Sequence, residues 1–155
     1  MCIRDRSEVG VGSTFFLVLP VTSASAPDSE QQLPTHHHGR QVLVIDPHHA
    51  SREQLRQLLT QLHLVPILCM DAESTRSVLA TSQAEAPCAV LVASSLADAD
   101  SRELAQIFQQ SPILSTVPIV LLHSTAEPSH AQSSVFGRST FQLAKPVRML
   151  SLIHI

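Results

Sequence analysis

From Gln41 onward, short continuous apolar runs alternate at near-regular spacing with segments whose apolar residues recur every three or four positions. Val42-Leu43-Val44-Ile45 is apolar throughout and β-branched at three of its four positions, the pattern of a strand buried on both faces. Leu55, Leu58, Leu59 and Leu62 then share one face of a helix, for which Ser51 and Gln54 have the spacing of a capping box, with a start one turn earlier as the alternative. Residues 65–70, 88–92, 119–122 and 141–144 are four further strand candidates. Asp71 is placed to cap a second helix bearing Ala72, Val78 and Leu79. Asp100 with Glu103 opens a third, in which Leu104, Ile107 and Phe108 share a face. Residues 126–135 make a weak helix candidate, interrupted by Pro128. Strands and helices in alternation require a parallel sheet covered on both faces, with right-handed crossovers. Five strands predict an α/β, flavodoxin-like, doubly wound sheet of order 2-1-3-4-5. A hydrophobic content of 44% with only 3% aromatic residues suits such a sheet, whose core is Leu, Val, Ile and Ala. A last helix would begin near Val147, where the remaining sequence allows about two turns, so that helix is expected to be truncated.

In doubly wound sheets, sites lie beyond the carboxyl ends of the strands. The positions that bear on chemistry are therefore Asp46 and Pro47 after the first strand, Ala93 after the third, His123 after the fourth and Lys145 after the fifth. Asp98 and Asp100 lie further along the loop, as solvated residues or caps of the next helix.

Two other zones precede the sheet. Residues 1–20 end in the apolar run Phe15-Phe16-Leu17-Val18-Leu19, introduced by Gly10 and Gly12. The run predicts one strand of a hairpin whose partner lies outside the chain. Gly10-x-Gly12 feeds a strand and not a helix, so it is a turn and not a phosphate cradle. Residues 21–40, rich in Ser, Ala, Pro, Gln and His, read as a flexible linker before the domain of residues 41–155.

Several function classes are weakened by composition. A net charge of −3 without a basic stretch gives no electrostatic case for nucleic-acid binding. No apolar run approaches the roughly 20 residues of a membrane helix, and the polar start Met-Cys-Ile-Arg-Asp-Arg is unlike a secretory signal. A cytoplasmic location without membrane contact from this segment is expected. Cys2, Cys69 and Cys88 form no C-x-x-C pair, and the last two sit in apolar runs as small hydrophobes. His36-His37-His38 falls in the linker, where consecutive imidazoles are not a preorganised tetrahedral set and take nickel or zinc adventitiously. His48, His49 and His123 with Asp46 are an alternative, zinc-binding set, which would make the module a metal sensor.

The strand ends resemble the receiver domains of bacterial two-component signalling over roughly two-thirds of the chain. Val42-Leu43-Val44-Ile45-Asp46-Pro47-His48-His49-Ala50-Ser51-Arg52 follows the family's first strand and its acidic pair, with Asp46 on the first acid, Pro47 on the second and Arg52 on the family's Arg. Cys88-Ala89-Val90-Leu91-Val92-Ala93 matches the strand that ends in the phosphoacceptor aspartate, and Ala93 stands at that position. Asp100 falls on a later acid of the same loop. Pro118-Ile119-Val120-Leu121-Leu122-His123-Ser124 places His123 at the family's switch Thr or Ser, and Leu143-Ala144-Lys145-Pro146 keeps the Lys-Pro pair. The resemblance implies a degenerate phosphorylation pocket of Asp46, Pro47, Ala93, His123 and Lys145, with no catalytic residue. Magnesium binding is expected to be weak or lost, since Asp46 alone remains as a weak metal candidate. Lys145, which in the family pairs with the acceptor, is expected to pair with Asp46.

Ser7-Glu8-Val9-Gly10-Val11-Gly12-Ser13-Thr14-Phe15-Phe16-Leu17-Val18-Leu19-Pro20 is similar to the closing hairpin of histidine-kinase ATP-binding domains. A kinase end, a linker and a receiver in this order resemble a slice of a hybrid histidine kinase. This implies a phosphorelay module that is not itself an enzyme, with a parent kinase that is. Its partners would be a histidine-kinase core or a histidine phosphotransfer protein, met through the first helix at Arg52 and Arg56. Without its own phosphoryl chemistry it would act by protein–protein interaction, or be the inert tail of an active kinase. Residues 1–6 and 150–155 resemble translated sequencing-adapter sequence, so Cys2 and His154 are given no role.

Overall fold

The computed structural model describes residues 2–10, 12–20, 35–81, 86–112, 114–124, 136, 140–148 and 152. The chain divides into two compact units, Met1–Glu30 and Gln31–Ile155.

The first unit is a hairpin. Strand β1 (Cys2–Glu8) pairs antiparallel with β2 (Gly12–Val18), from Cys2 opposite Val18 to Glu8 opposite Gly12. Gly10 and Gly12 adopt φ of 82° and 118°, the region open to glycine, which lets the chain reverse there. The strand partner expected outside the chain is thus inside it. The charged run Arg4-Asp5-Arg6 hid β1 from a reading based on apolar runs, because backbone pairing needs no apolar side chain.

The second unit holds β3 (Gln41–Ile45), α1 (His49–Gln61), β4 (Val65–Cys69), α2 (Ala72–Thr81), β5 (Ala89–Ala93), α3 (Asp98–Gln110), β6 (Ile119–Ser124) and β7 (Thr140–Lys145). The five strands form one all-parallel sheet in the order β4-β3-β5-β6-β7, the doubly wound order 2-1-3-4-5 counted from β3. Strand alternation divides the core in two. Leu43, Ile45, Val90, Val92, Ile119 and Leu121 point to one face, where Ala72 of α2 and Leu104, Ala105 and Phe108 of α3 cover them. Val42, Val44, Leu91, Val120 and Leu122 point to the other, against Leu55 and Leu59 of α1. Val147 is buried on this second face and Leu152 packs against it. Both faces are closed by apolar helix stripes, which is why the strands read as continuous hydrophobic runs.

Helix starts agree with expectation at α2 and differ in detail at α1 and α3. Asp71 caps α2 as predicted: its Oδ1 accepts the Ser74 N–H at 2.7 Å, and Ser74 Oγ accepts the Asp71 N–H at 3.1 Å. Helix α1 takes the earlier start, at His49, with His48 as an N-cap whose side chain makes no capping bond, so Ser51 lies inside the helix and is no cap. Helix α3 starts at Asp98, which places Asp98 and Asp100 in its first turn, where carboxylates suit the helix dipole. The weak helix candidate at 126–135 lies outside the described residues, as does most of the segment after Arg148.

Before β3, residues Thr35–His37 form a 3-10 turn. It is tied to the sheet: the Gly39 N–H donates to the His63 carbonyl at 2.7 Å, and the Val65 N–H to the Arg40 carbonyl at 2.9 Å.

Candidate functional site

Parallel strands in register deliver their carboxyl ends to one edge. Ile45 pairs with Cys69 on one side and Val92 on the other, so Asp46 and Ala93 leave adjacent strands together. The structure places Asp46 at the centre of this edge, with its side chain fully buried.

Asp46 is bonded on every side. Its Oδ1 accepts the His48 N–H at 2.9 Å, and its Oδ2 accepts the Ser51 hydroxyl at 2.5 Å and the Lys145 ammonium at 2.5 Å. Its backbone N–H donates to the Cys69 carbonyl at 3.1 Å, and its own carbonyl accepts from Arg52 Nη1 at 2.5 Å. Burial alone would push this carboxyl up. The hydrogen bonds from Lys145, Ser51 and the His48 N–H, with the lysine charge, outweigh it and hold the group below its ordinary value. Among the described residues, no buried side-chain nitrogen or oxygen lacks a partner.

The expected Asp46–Lys145 ion pair is present. Pro47 follows it with no carboxylate to offer, and Ala93 closes the end of β5 with a methyl group, 2% exposed. Among the described residues, Asp46 is the one buried carboxylate, and both its oxygens accept hydrogen bonds. Lys145 and Ser51 occupy Oδ2, so an incoming cation would meet the carboxylate only at Oδ1 and against the lysine charge, and position 93 offers an anhydride-forming step no nucleophilic oxygen.

His48 Nδ1 lies 3.4 Å from Asp46 Oδ1 and 3.4 Å from Ser95 Oγ, at the exposed rim. His123 sits near the end of β6, half-buried, with its Nδ1 3.3 Å from the neighbouring Ser124 carbonyl. The zinc set proposed from sequence is not assembled: among the described residues, no three of His, Cys, Asp and Glu converge where they could hold a metal ion. A β6 side chain and the α1 N-terminus share a sheet edge without sharing a point in space.

Ser51 and Arg52 take roles that the sequence reading did not give them. Both belong to the first turns of α1, and both fasten that helix to the end of β3, one through the Asp46 carboxylate and one through its carbonyl. Arg56, the other residue expected on a docking face, is paired on the helix surface with Glu53 at 2.6 Å. Their bond holds the Glu53 carboxyl down at about 2. Burial pushes the thiols of Cys69 and Cys88 up, away from the reactive thiolate. Among the described residues, no helix is long and apolar enough to cross a membrane.

No family model and no curated protein matches the chain. Solved structures do. The signal receiver domain of an HD-domain-containing protein from Pseudomonas fluorescens Pf-5 superposes with a TM-score of 0.60 at 23% identity, over 76% of this chain and 90% of that one. Vibrio cholerae chemotaxis protein CheY4 gives 0.62 at 14% identity, over 75% and 94%. The receiver domain of a sensor histidine kinase from Pseudomonas aeruginosa PAO1, solved with magnesium coordinated in its active site cleft, gives 0.59 at 19% identity, over 75% and 93%. At these identities the likeness is one of architecture, and the chain accordingly has the CheY-like receiver fold.

Proposed function

We propose that this chain is a pseudo-receiver, a signalling module of a two-component phosphorelay that works by protein–protein contact without accepting a phosphoryl group. One observation carries the reading: the strand-end edge holds a single buried carboxylate, Asp46, already neutralised by Lys145, beside a methyl group at Ala93. Phosphoryl transfer to an aspartate needs a carboxylate nucleophile and a divalent cation to offset charge. Neither requirement is met by Ala93, Pro47 and an Asp46 whose oxygens are taken. The module therefore binds magnesium weakly or not at all, and its contacts with a kinase core or phosphotransfer protein are constitutive.

The similarity of residues 7–20 to the end of a kinase ATP-binding domain supports placement in a cytoplasmic hybrid histidine kinase, ahead of the receiver-like unit. The parent would be the enzyme and this module its regulatory part.

The test is magnesium-dependent incorporation of phosphate from acetyl phosphate. The unmodified chain is expected to incorporate none. Ala93→Asp alone adds a second carboxylate near Asp46 without a cation to offset the repulsion, so it gains little. Pro47→Asp with Ala93→Asp restores three acids beside Lys145 and should bring back measurable magnesium binding. Stable aspartyl phosphate on the unmodified chain would overturn the reading and point to Asp98 or Asp100 as a substitute acceptor.

A further inference from the structure

A second cluster lies at the end of the sheet opposite Asp46, about 17 Å away along a five-residue strand. His36 and His37 belong to the 3-10 turn before β3, His38 follows it, and His63 stands in the turn between α1 and β4. The imidazoles of His38 and His63 lie side by side and tilted, with ring centroids 4.6 Å apart and planes inclined by 44°. Both residues are exposed. The bond from the Gly39 N–H to the His63 carbonyl, 2.7 Å, fixes the two backbones beside each other.

His63 is an unusual residue for its position. Helix α1 ends in a Schellman arrangement: the Leu64 N–H donates to the Leu59 carbonyl at 2.9 Å, and the His63 N–H to the Thr60 carbonyl at 3.0 Å. The residue at the bend has φ of 59°, the left-handed region that glycine normally supplies. A side chain there costs about 1 kcal/mol. What that side chain adds in return is an imidazole set against His38.

The spacing is close to that of a shared ion. Two imidazoles bound to one tetrahedral zinc, about 2.0–2.1 Å from each nitrogen, hold their centroids about 5.2 Å apart. The observed 4.6 Å is shorter, and a small rotation of the two exposed side chains opens the pair to that distance. His36 and His37 also have close rings, 4.0 Å apart, but they are sequence neighbours and their proximity owes nothing to the fold. His37 instead lines the apolar groove beside Leu59 and Cys88. Because no three ligand residues converge among the described residues, the protein supplies two donors and leaves other positions to water. We propose that His38 and His63 form a two-imidazole site for a borderline divalent cation, zinc in the first instance, which clips the segment entering β3 to the α1–β4 turn.

The experiment is calorimetric titration of the full chain with zinc chloride, beside His63→Gly and the double variant His36→Ala/His37→Ala. His63→Gly deletes a ligand while relieving the left-handed strain, so loss of binding in it cannot be a failure to fold. It is expected to weaken zinc at least about tenfold, while the double variant stays within about threefold of the unmodified chain. Zinc should also raise the unfolding midpoint of the unmodified chain and not that of His63→Gly, since the pair exists only in the folded state. Three results would each overturn the proposal: no zinc binding by the unmodified chain, equal affinity in His63→Gly, or a loss in the double variant as large as in His63→Gly. The last would place the ion on the linear tract.

Discussion

At the scale of single residues, Asp46 is a structural joint between β3, α1 and β7. A buried carboxylate that loses its counter-ion is expensive, so Lys145→Met is expected to destabilise the domain by about 3 kcal/mol at pH 7. The penalty depends on the carboxylate being charged. Because its folded value is depressed, the Asp46 contribution is fully present above the unfolded value of about 3.9 and is lost as pH falls through the lower folded one. The cost of Lys145→Met, read from urea midpoints, should therefore shrink at pH 3. Ser51→Ala should behave likewise, with a cost of about 1–2 kcal/mol at pH 7 that fades in acid, because its hydroxyl serves Asp46. A pH-independent cost would mean that Ser51 acts on the helix alone.

Among the elements, ends and edges separate local from tertiary control. The α2 cap is local, four consecutive residues satisfying one another, and Asp71→Ala should cost about 1 kcal/mol in the same assay. Strand β4 is an edge of the sheet and exposes Val65, Leu68 and Met70. Since Val65 donates inward to Arg40, the alternate residues Pro66, Leu68 and Met70 face outward along that edge. Pro66 has no N–H to offer, and that of Met70 is taken by Ser74 Oγ at 3.1 Å. The edge is thus blunted against strand addition. Pro66→Thr is expected to increase self-association, seen as a concentration-dependent mass in size-exclusion chromatography with light scattering. An unchanged mass would show that this proline is not what protects the edge.

For the whole molecule, the two faces of the sheet are filled differently. The α2–α3 face includes Phe108 and Phe136, with ring centroids 5.9 Å apart, while the α1 face contains a groove of about 230 Å³ lined by Val42, Leu59, Leu64, Ala89, Leu91 and Val120, among others. Ala89→Val adds apolar volume there and suits a strand, so it should raise stability by about 1 kcal/mol in thermal or urea melts. A loss of stability would show the groove to be too shallow for the added methyls. The sequence by itself determined the five strands, their order and the residues brought to the strand ends. Apolar runs such as Val42-Leu43-Val44-Ile45 and the stripe of Leu55 and Leu59 are local signals that specify which face must be buried. It also determined that Ala93 and Pro47 carry no acid, since that is a matter of composition at a place in the strand register. Only the tertiary structure decided what Ser51, Arg52 and His63 do. Their partners come from the end of β3 and from the turn before it, and spacing along the chain does not encode the direction in which a polar side chain finds its bond. Ser51 had the spacing of a cap, yet it and Arg52 both bond to the buried end of β3, because a buried carboxylate and carbonyl in need of donors outweigh a helix terminus that water can solvate.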